Sequence, residues 1–359
     1  MEWHVTCCRR GNGVINALQQ GEMRNDIDEK HRAADGPAGG EVRSSFRTVL
    51  GEGDTVSSQM SPIDVAMGFD ANYAPHAAGV IASVIVLAPD AKFRFIILHD
   101  SIAAELQRQM EKCAPKAVWV WVEVKESDLP PFADRQYFNR TTLFRLGLEK
   151  LAPADCHRVV YLDSDIALLR DVRDLYNADL KGEPVGAVLD AYLDPVEFAA
   201  RWNLEPGGNY MNAGVLLVDL DAVRREQLFS RAADFIALHD KELPYNDQDA
   251  LSWALWKKWL PLEPVWNVQR HMAMPEIVHE IPESRRLNGR RPALIHFLGA
   301  EKPWHAKAWH PWAWAYWRSL GRTTFLEQVS RKNGVSRLMR FRMWLRWLRR
   351  GPAQTSKFL

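Results

Sequence analysis

Two carboxylates separated by one residue directly follow a hydrophobic segment in the middle of the chain. Val159 to Leu162 is typical of a buried strand, and Asp163 and Asp165 come immediately after it. Alternate carboxylates at a strand end can both face one cation where the backbone bends, and hard oxygen ligands suit Mg²⁺ or Mn²⁺. Because such pairs also occur as solvated turn or helix-cap carboxylates, the pair by itself only indicates a candidate metal site.

A second cluster of polar residues follows a hydrophobic segment close to residue 295. His296 stands at the end of this segment, Gly299 provides a turn, and Lys302 provides a positive charge. An imidazole can complete a metal site, backbone N–H groups at a glycine turn can approach phosphate, and a lysine can bind it. His296 alone could equally be a hydrogen-bonded core histidine. Taken together, the two clusters predict a site for a metal-bound diphosphate.

The segments that carry these clusters alternate between strand and helix patterns. Such alternation predicts an α/β fold with a mostly parallel sheet between helices, whose ligands bind beyond the carboxyl ends of the strands. Both clusters fall at such ends. The predicted strands are 63–69, 93–98, 117–124, 158–162, 184–188, 214–219 and 293–297, and the predicted helices are 73–87, 102–113, 142–151, 221–239 and 248–256.

The composition excludes several classes of protein. A chain of 359 residues with 47% hydrophobic and 25% charged residues can form one large α/β domain or two domains. Four cysteines without paired metal-ligand spacing predict no disulfide scaffold and favour a reducing compartment. A net charge of +1 argues against a nucleic-acid partner. We find no pattern of a secretory signal and no apolar segment of membrane-spanning length.

The two ends of the chain differ from its middle. Residues 1–60 lack hydrophobic periodicity and predict a disordered extension, unless Met60 is the true start of the protein. Residues 61–320 are expected to form the catalytic domain. Residues 321–359 are expected to form a basic helical tail, because 331–359 contains nine Lys or Arg and no Asp or Glu.

Helical periodicity in this tail predicts a membrane-associating helix. Leu338, Phe341, Leu345 and Leu348 recur at helical spacing beside a cluster of arginines, with tryptophans at the boundary positions 344 and 347. A basic amphipathic helix binds an anionic membrane surface, although a solvated helix or an acidic protein partner are alternatives. We therefore expect a cytoplasmic protein that is peripheral on the inner face of the cytoplasmic membrane.

Five motifs occur in order between about residues 62 and 315. They are Phe69-Asp70-Ala71-Asn72-Tyr73, Tyr161-Leu162-Asp163-Ser164-Asp165, Asn212-Ala213-Gly214-Val215-Leu216-Leu217, Asn246-Asp247-Gln248-Asp249, and the segment from His296 to His305. In this order they resemble the motifs of glycosyltransferase family 8, in particular of bacterial lipopolysaccharide and lipooligosaccharide galactosyl- and glucosyltransferases. The resemblance implies a GT-A-type, Rossmann-like fold, a UDP-galactose or UDP-glucose donor, dependence on Mn²⁺ (or Mg²⁺), and retention of the anomeric configuration.

Carried over by position, the resemblance also implies roles for individual residues. The metal ligands would be Asp163, Asp165 and His296; the donor-binding residues Asp70, Asn72, Tyr73, Arg145, Asp163, Asn212, Gly299 and Lys302; and the catalytic residues Gln248, Asp190 and Asp247. Tyr73 would stack on the uracil, while Gly299 and Lys302 would hold the diphosphate. The sequence departs from the motifs at Tyr137, where histidine is usual, and at Ala71, where an acidic residue is usual. Both departures bear on the identity of donor or acceptor.

Several of these residues have structural alternatives. Asp70 and Asp247 could cap the helices that follow them, Asn212 could form a turn, and Arg145 could be a structural ion pair. The tryptophans between residues 304 and 317 could be sugar-stacking platforms, although core packing is more usual for such residues.

The resemblance favours a particular mechanism of transfer. Gln248 occupies the sugar-facing position, and because an amide is a poor nucleophile, we expect same-face attack by the acceptor, with the Gln248 carbonyl stabilising positive charge on the sugar. Asp190 or Asp247 as a covalent nucleophile is the alternative. The expected acceptor is a glycolipid or oligosaccharide of lipopolysaccharide type.

Two other functions compete with this one. A glycogenin-like polymer primer is disfavoured by the lack of a Tyr-rich acceptor segment. A catalytically silent UDP-sugar-binding scaffold is disfavoured because the motif residues are intact.

Overall fold

The computed structural model describes residues 61–131, 140–274, 277–300, 302–307 and 310–356, the last seven by their backbone alone. The expectations for residues 1–60 and for Tyr137 lie outside the described residues. The strands are β1 Ile63–Gly68, β2 Phe93–His99, β3 Val118–Glu123, β4 Arg158–Leu162, β5 Ile166–Leu168, β6 Val185–Leu189, β7 Met211–Asp219, β8 Leu260–Pro261 and β9 Leu294–His296.

The α-helices are α1 Ala74–Leu87, α2 Ala104–Glu111, α3 Leu148–Leu151, α4 Arg173–Tyr176, α5 Pro195–Arg201, α6 Leu220–Glu226, α7 Leu228–His239, α8 Asn246–Ala254, α9 Arg270–Ala273, α10 Ala313–Leu320, α11 Leu326–Lys332 and α12 Arg337–Ser356. Short 3₁₀ helices occupy Glu126–Asp128, Arg140–Gly147, Asp240–Glu242, Pro264–Trp266, Val278–Glu280 and Glu283–Arg285.

Seven strands form one sheet in the order β3-β2-β1-β4-β7-β6-β8. Neighbouring strands are parallel except at β7, which runs antiparallel to both β4 and β6. The beginning of β7 therefore lies at the same edge as the carboxyl ends of β1, β4 and β6. This mixed, mostly parallel sheet confirms the predicted fold class.

Both faces of the sheet are covered, as expected for strands that read as continuous hydrophobic segments. In β1, Val65 and Met67 belong to a core on one face, whereas Ala66 belongs to a second core on the other. Helices α1 and α10 pack on the first face, where the two helices contact each other. Helices α6, α7 and α8 contribute to the second core.

Two predicted helices differ from the structure. Residues 142–151 form a 3₁₀ helix followed by the short α3, and residues 221–239 form two helices separated at Gln227, whose φ is +53°. The break at Gln227 coincides with a tertiary contact, in which the buried Glu149 carboxylate accepts hydrogen bonds from the backbone of Phe229 and Ser230 at the start of α7. A carboxylate at a helix N-terminus stabilises a new helix there.

The C-terminal helices pack against the same core as the sheet. Phe325, Val329 and Val335 are buried in it, and α12 packs on it through Met339 and Trp347 among others. Hydrophobic packing of the body thus continues past the boundary expected at residue 320. No helix in the described part of the chain combines the length and the hydropathy needed to cross a membrane.

Candidate active site

A cleft of about 850 Å³ opens at the carboxyl edge of the sheet, where parallel α/β folds bind ligands. The structure brings most of the predicted site residues to its walls, namely Tyr73, Arg145, Asp163, Asp165, Asp190, Asn212, Asp247, Gln248, His296, Gly299 and Lys302. Asp70 and Asn72 are not among the lining residues. They form the turn after β1, where Asp70 accepts a hydrogen bond from the Tyr73 backbone, and their role in donor binding stays a prediction.

Two carboxylates and an imidazole meet at one corner of this cleft. Antiparallel pairing of β5 with β9 aligns Ile166 with His296, which places the imidazole beside the turn that carries both carboxylates. His296 Nε2 lies 3.2 Å from Asp165 Oδ1 and 3.7 Å from Asp163 Oδ2. All three ligand atoms lie within 4.8 Å of one another. The residues predicted as metal ligands are therefore close enough to face one cation.

Gly214 on β7 leaves the space for this corner. A Cβ atom at residue 214 would lie 2.1 Å from Cε1 of His296 and 2.8 Å from Oδ2 of Asp163. The buried His296 imidazole or the Asp163 carboxylate would have to move to relieve such contacts, so any larger residue here would disturb the corner. The requirement explains why a glycine follows Asn212-Ala213 in the third motif, a role that the sequence pattern alone did not indicate.

Cations compensate the charge of the buried carboxylates. Burial by itself raises the pKa of Asp165, but Lys302 and His296 hold this pKa well below its usual range. Lys302 also donates to the Phe297 carbonyl at 2.8 Å. Burial raises the pKa of Asp163, against the attraction of Arg145. The charge on this side of the cleft is thus held by ion pairs.

Arg145 connects the two sides of the cleft. Its guanidinium lies 2.9 Å from Asp163 Oδ1, 2.9 Å from Asp247 Oδ2, and over the ring of Tyr161. Arg145 therefore forms the structural ion pair that the sequence allowed, and it also lines the cleft. Burial raises the pKa of Asp247 to about 6, although Arg145 acts in the opposite direction.

Asp190, Asn212 and Gln248 form a second, hydrogen-bonded cluster that lines the same cleft. Asp190 Oδ2 accepts from Asn212 Nδ2 and from Gln248 Nε2, each at 3.2 Å. Gln248 Oε1 accepts from the backbone of Ala213 and from Asn212, each at 3.2 Å. Asn212 lies in β7 rather than in a turn. The role expected for the Gln248 carbonyl in stabilising sugar charge stays a prediction, and in this arrangement two N–H donors engage that carbonyl.

The start of α8 is fixed by a residue that sequence reasoning did not assign. Asp249, not Asp247, accepts from the Tyr245 backbone at 2.7 Å and from the Tyr210 hydroxyl at 2.5 Å. Asp247 is thereby free of the capping role and faces Arg145. The spacing of the two acids in the fourth motif was the available signal, since they lie on different sides of one helical turn.

An aromatic layer supports Tyr73 at the mouth of the cleft. The Tyr73 ring meets Trp304 edge-on, and the His76 ring stacks on Trp304 with centroids 3.7 Å apart. His76 is hydrogen-bonded to the Tyr316 hydroxyl at 2.7 Å, and burial lowers its pKa to about 3. Trp304 is 5% exposed, so it acts in packing and not as a sugar platform.

This mixed, mostly parallel sheet between helices, with its cleft at the carboxyl edge, has the architecture of the GT-A fold. Residues 64–308 match the sequence profile of Glycosyl transferase family 8. The match spans well over half of the chain, and the protein belongs to this family.

Individual relatives agree with this assignment. General stress protein A of Bacillus subtilis is 26% identical over 269 residues, which are 71% of this chain and 91% of that protein. Lipopolysaccharide 1,2-glucosyltransferase of Escherichia coli K12 is 26% identical over 253 residues, 68% of this chain and 73% of the relative. The crystal structure of the galactosyltransferase LgtC with donor and acceptor sugar analogs has a TM-score of 0.64 at 24% identity. It covers 76% of this chain and 100% of LgtC, and it supports the fold.

Proposed function

We propose that this protein is a metal-dependent, retaining hexosyltransferase that moves galactose or glucose from a UDP-sugar to a lipopolysaccharide-type acceptor. The observation that carries the proposal is the division of one cleft into two chemically different sides. Asp163, Asp165, His296 and Lys302 form a charged side suited to a diphosphate. Asp190 and Gln248 lie on the other side, where a sugar would follow the diphosphate.

The charged side fits a divalent metal. Two carboxylate oxygens and one imidazole nitrogen, all near one another and backed by a required glycine, are a donor set that suits Mn²⁺ or Mg²⁺. Asp163, Asp165 and His296 would hold the ion, which supplies positive charge to the diphosphate when bound.

The chain's own residues would stabilise the leaving UDP and position the donor. Gly299 has a φ of +77° and open space around its Cα, so its backbone can approach phosphate closely. Lys302 lies within reach of the same region and would exchange its pairing with Asp165 for the diphosphate. Tyr73 offers an aromatic ring for the base. These groups act where negative charge develops as the sugar leaves, which is the main means of acceleration in such sites.

The hydrogen bonds on the sugar side favour same-face substitution. Asp190 accepts four N–H groups, from Asn212, Gln248 and the backbone of residues 192 and 193, and Asp247 is paired with Arg145. Neither carboxylate is thus well prepared to attack carbon. In the proposed step the bond from the anomeric carbon to the phosphate oxygen breaks with its electron pair going to UDP. The acceptor oxygen bonds to that carbon from the same face, and its proton passes to the departing phosphate oxygen.

The acceptor class is supported by the lipopolysaccharide 1,2-glucosyltransferase relative and by helix α12. Helix α12 has two different apolar faces. Met339, Met343 and Trp347 pack on the body, with the Trp347 ring 4.3 Å from that of Trp314. Trp347 therefore lies on the inner face of α12, against the body, and not at the edge of the apolar face as the sequence predicted. Leu338 and Phe341 are 57% and 52% exposed, and arginines flank them.

We propose that this outer face of α12 lies on an anionic membrane at the cytoplasmic side, where UDP-sugars and lipid-linked acceptors meet. Deletion of residues 331–359 would remove buried Val335 as well, so point variants give the sharper test. Leu338→Ser with Phe341→Ser should lower co-sedimentation with anionic vesicles by about tenfold and leave the melting temperature unchanged. Met343→Ser, on the inner face, should instead lower the melting temperature and retain binding. Equal pelleting of wild type and the double variant would remove α12 as the membrane contact.

The catalytic proposal is tested by UDP release from UDP-galactose and UDP-glucose, with Mn²⁺ and with EDTA. We expect metal-stimulated release from at least one donor in the absence of acceptor. Binding of UDP with Mn²⁺ but without any release would favour the catalytically silent scaffold instead. Equal release with Mn²⁺ and EDTA would contradict the assignment of the metal.

A further inference from the structure

A buried segment of three residues that the motifs do not include contacts residues of both sides of the cleft. Asn267, Val268 and Gln269 follow the 3₁₀ helix Pro264–Trp266 and are 0%, 0% and 2% exposed. The backbone of Val268 pairs with β9 on both sides of Ile295, through hydrogen bonds to residues 294 and 296. Buried amide side chains are costly unless they are hydrogen-bonded, so their partners define what this segment does.

The contacts of Asn267 determine the orientation of the candidate metal ligand His296. The backbone N–H of Gly214 can only donate, so the Asn212 atom that it meets at 3.2 Å is the oxygen. Asn267 contacts the same oxygen at 2.8 Å and must therefore donate through its Nδ2. The remaining oxygen of Asn267 faces Nδ1 of His296 at 3.0 Å. His296 Nδ1 therefore donates to Asn267, and this hydrogen bond turns the other ring nitrogen, Nε2, toward Asp163 and Asp165.

Asn212 extends this series of hydrogen bonds to the sugar side of the cleft. Its Nδ2 donates to Asp190 Oδ2 and to Gln248 Oε1 at 3.2 Å. Asn267 is thus connected through one side chain to both residues expected next to the sugar. The backbone N–H groups of Gly214 and Ala213 set the orientation of the amide side chains in this hydrogen-bonded series.

Gln269 holds the turn that carries Asp190. Its Oε1 accepts from the Ala191 backbone at 2.8 Å, and its Nε2 donates to the Leu189 carbonyl at 2.9 Å. These bonds lie on either side of Asp190. The buried Arg285 adds a second restraint by donating to the carbonyls of Asp190 and Leu193.

We propose that Asn267 and Gln269 are positioning residues for the transfer reaction, each acting on a different side of the cleft. Asn267 fixes the orientation of His296 for the metal and links it to Asn212, while Gln269 fixes the backbone that presents Asp190. Neither residue lines the cleft. The inference rests on the proposed function, because it takes His296 to bind metal and Asp190 to face the sugar.

The experiment measures Mn²⁺ affinity and donor kinetics separately. MnCl₂ is titrated by calorimetry into full-length protein with saturating UDP, and donor kcat and KM are measured by UDP release. Asn267→Leu should weaken Mn²⁺ binding by about 10- to 100-fold, because His296 loses the partner that orients it. Asn267→Asp retains an oxygen toward Nδ1 of His296 but loses the donor to Asn212. It should keep Mn²⁺ affinity within about threefold and lower kcat by about tenfold.

Gln269→Met is the matched control on the same segment. It has a similar length and no hydrogen bond to the turn, so it should leave Mn²⁺ affinity unchanged and lower kcat by about tenfold with little change in donor KM. If thermal unfolding shows that Asn267→Leu does not fold, Asn267→Ser takes its place, since its short hydroxyl cannot reach the imidazole.

The inference is overturned by wild-type Mn²⁺ affinity in folded Asn267→Leu (or in Asn267→Ser where it replaces that variant). It is also overturned if Asn267→Asp and Gln269→Met each lose Mn²⁺ affinity and kcat to the same extent. Equal losses would indicate a general structural role. A wild-type protein that binds no Mn²⁺ with UDP would instead contradict the proposed function, and the two failures are thereby distinguished.

Discussion

The two sides of the cleft are built from different interactions. On the diphosphate side, Asp163 and Asp165 are balanced by Arg145 and Lys302 through ion pairs. On the sugar side, Asp190, Asn212 and Gln248 are joined by amide hydrogen bonds whose orientations are set by backbone N–H groups. A ligand can replace one partner of an ion pair with another. Rearranging the amide cluster would instead leave buried groups unsatisfied, at a cost of about 1–3 kcal/mol each.

The two sides contribute at different stages of the reaction, one on donor binding and the other in the transition state. The diphosphate side can exchange Lys302 for a metal and phosphate charge as the donor arrives. The sugar side is organised before the donor arrives, as expected for groups that act in the transition state. Variants on the two sides should therefore affect different kinetic constants.

The largest effect is expected from the carboxylates of the diphosphate side. Asp163→Asn or Asp165→Asn removes a charged ligand without changing packing volume, and it should weaken Mn²⁺-dependent UDP binding by about 100-fold or more. Calorimetry with UDP in Mn²⁺ and in EDTA measures this. The fold should be retained, as checked by circular dichroism. UDP binding with wild-type metal dependence in either variant would show that these residues do not hold the metal.

A large effect of a different kind is expected on the sugar side. Gln248→Ala should lower kcat by about 10- to 100-fold and change donor KM much less, because the amide acts mainly in the transition state. Steady-state UDP release against donor concentration separates the two constants. A change in KM alone would show that Gln248 only binds the donor and would remove this difference between the two sides.

Lys302→Met tests whether the ion pair is exchangeable. Loss of the ammonium frees Asp165, so Mn²⁺ alone should bind as well as in wild type or better. UDP at saturating Mn²⁺ should bind about tenfold more weakly, because the diphosphate loses a cation. Two titrations of the same variant give both values. Weaker binding of both ligands would show instead that Lys302 holds the corner together.

The smallest effect concerns pH and the layer beneath the diphosphate side. Burial lowers the pKa of His76 to about 3 from an ordinary value of 6.5, so the unfolded chain takes up a proton that the folded protein does not. The stabilisation from neutral His76 is complete above about pH 6.5 and is lost as the pH falls toward 3. Between pH 5.5 and 4.5, wild type should lose about 1.4 kcal/mol more unfolding free energy than His76→Phe. Urea unfolding at the two pH values measures the difference, and parallel losses would contradict it.

The sequence predicted the parts of the site that depend on local pattern. The carboxylates directly after β4, and the histidine with a glycine and a lysine at the end of β9, are signals of this kind. In the structure the two clusters meet through the antiparallel pairing of β5 with β9, in a separate two-stranded sheet, and not as ends of neighbouring strands of the seven-stranded sheet. The resemblance to the family added the residues of β7 and α8, which no local pattern assigns.

Other parts depend on packing that no sequence window contains. Asn267 and Gln269 lie in an irregular segment and are polar, so they read as loop residues, although both are buried by contacts with strands far away in sequence. The break of the predicted helix at Gln227 coincides with a contact of Glu149, which is 78 residues earlier in the numbering. Helix α12 has two apolar faces, and only the packing of Trp347 on Trp314 shows which one faces the body.

The most direct test of the account follows the anomeric configuration of the sugar that leaves the donor. The protein is incubated with an α-linked UDP-hexose and Mn²⁺ in the absence of acceptor, EDTA stops the reaction, and proton NMR spectra are recorded before the free sugar mutarotates. The account predicts that the α-anomer, with its small anomeric coupling, appears first and only when metal was present. The β-anomer appearing first, or no cleavage of either UDP-galactose or UDP-glucose with metal, would contradict a metal-dependent retaining transferase.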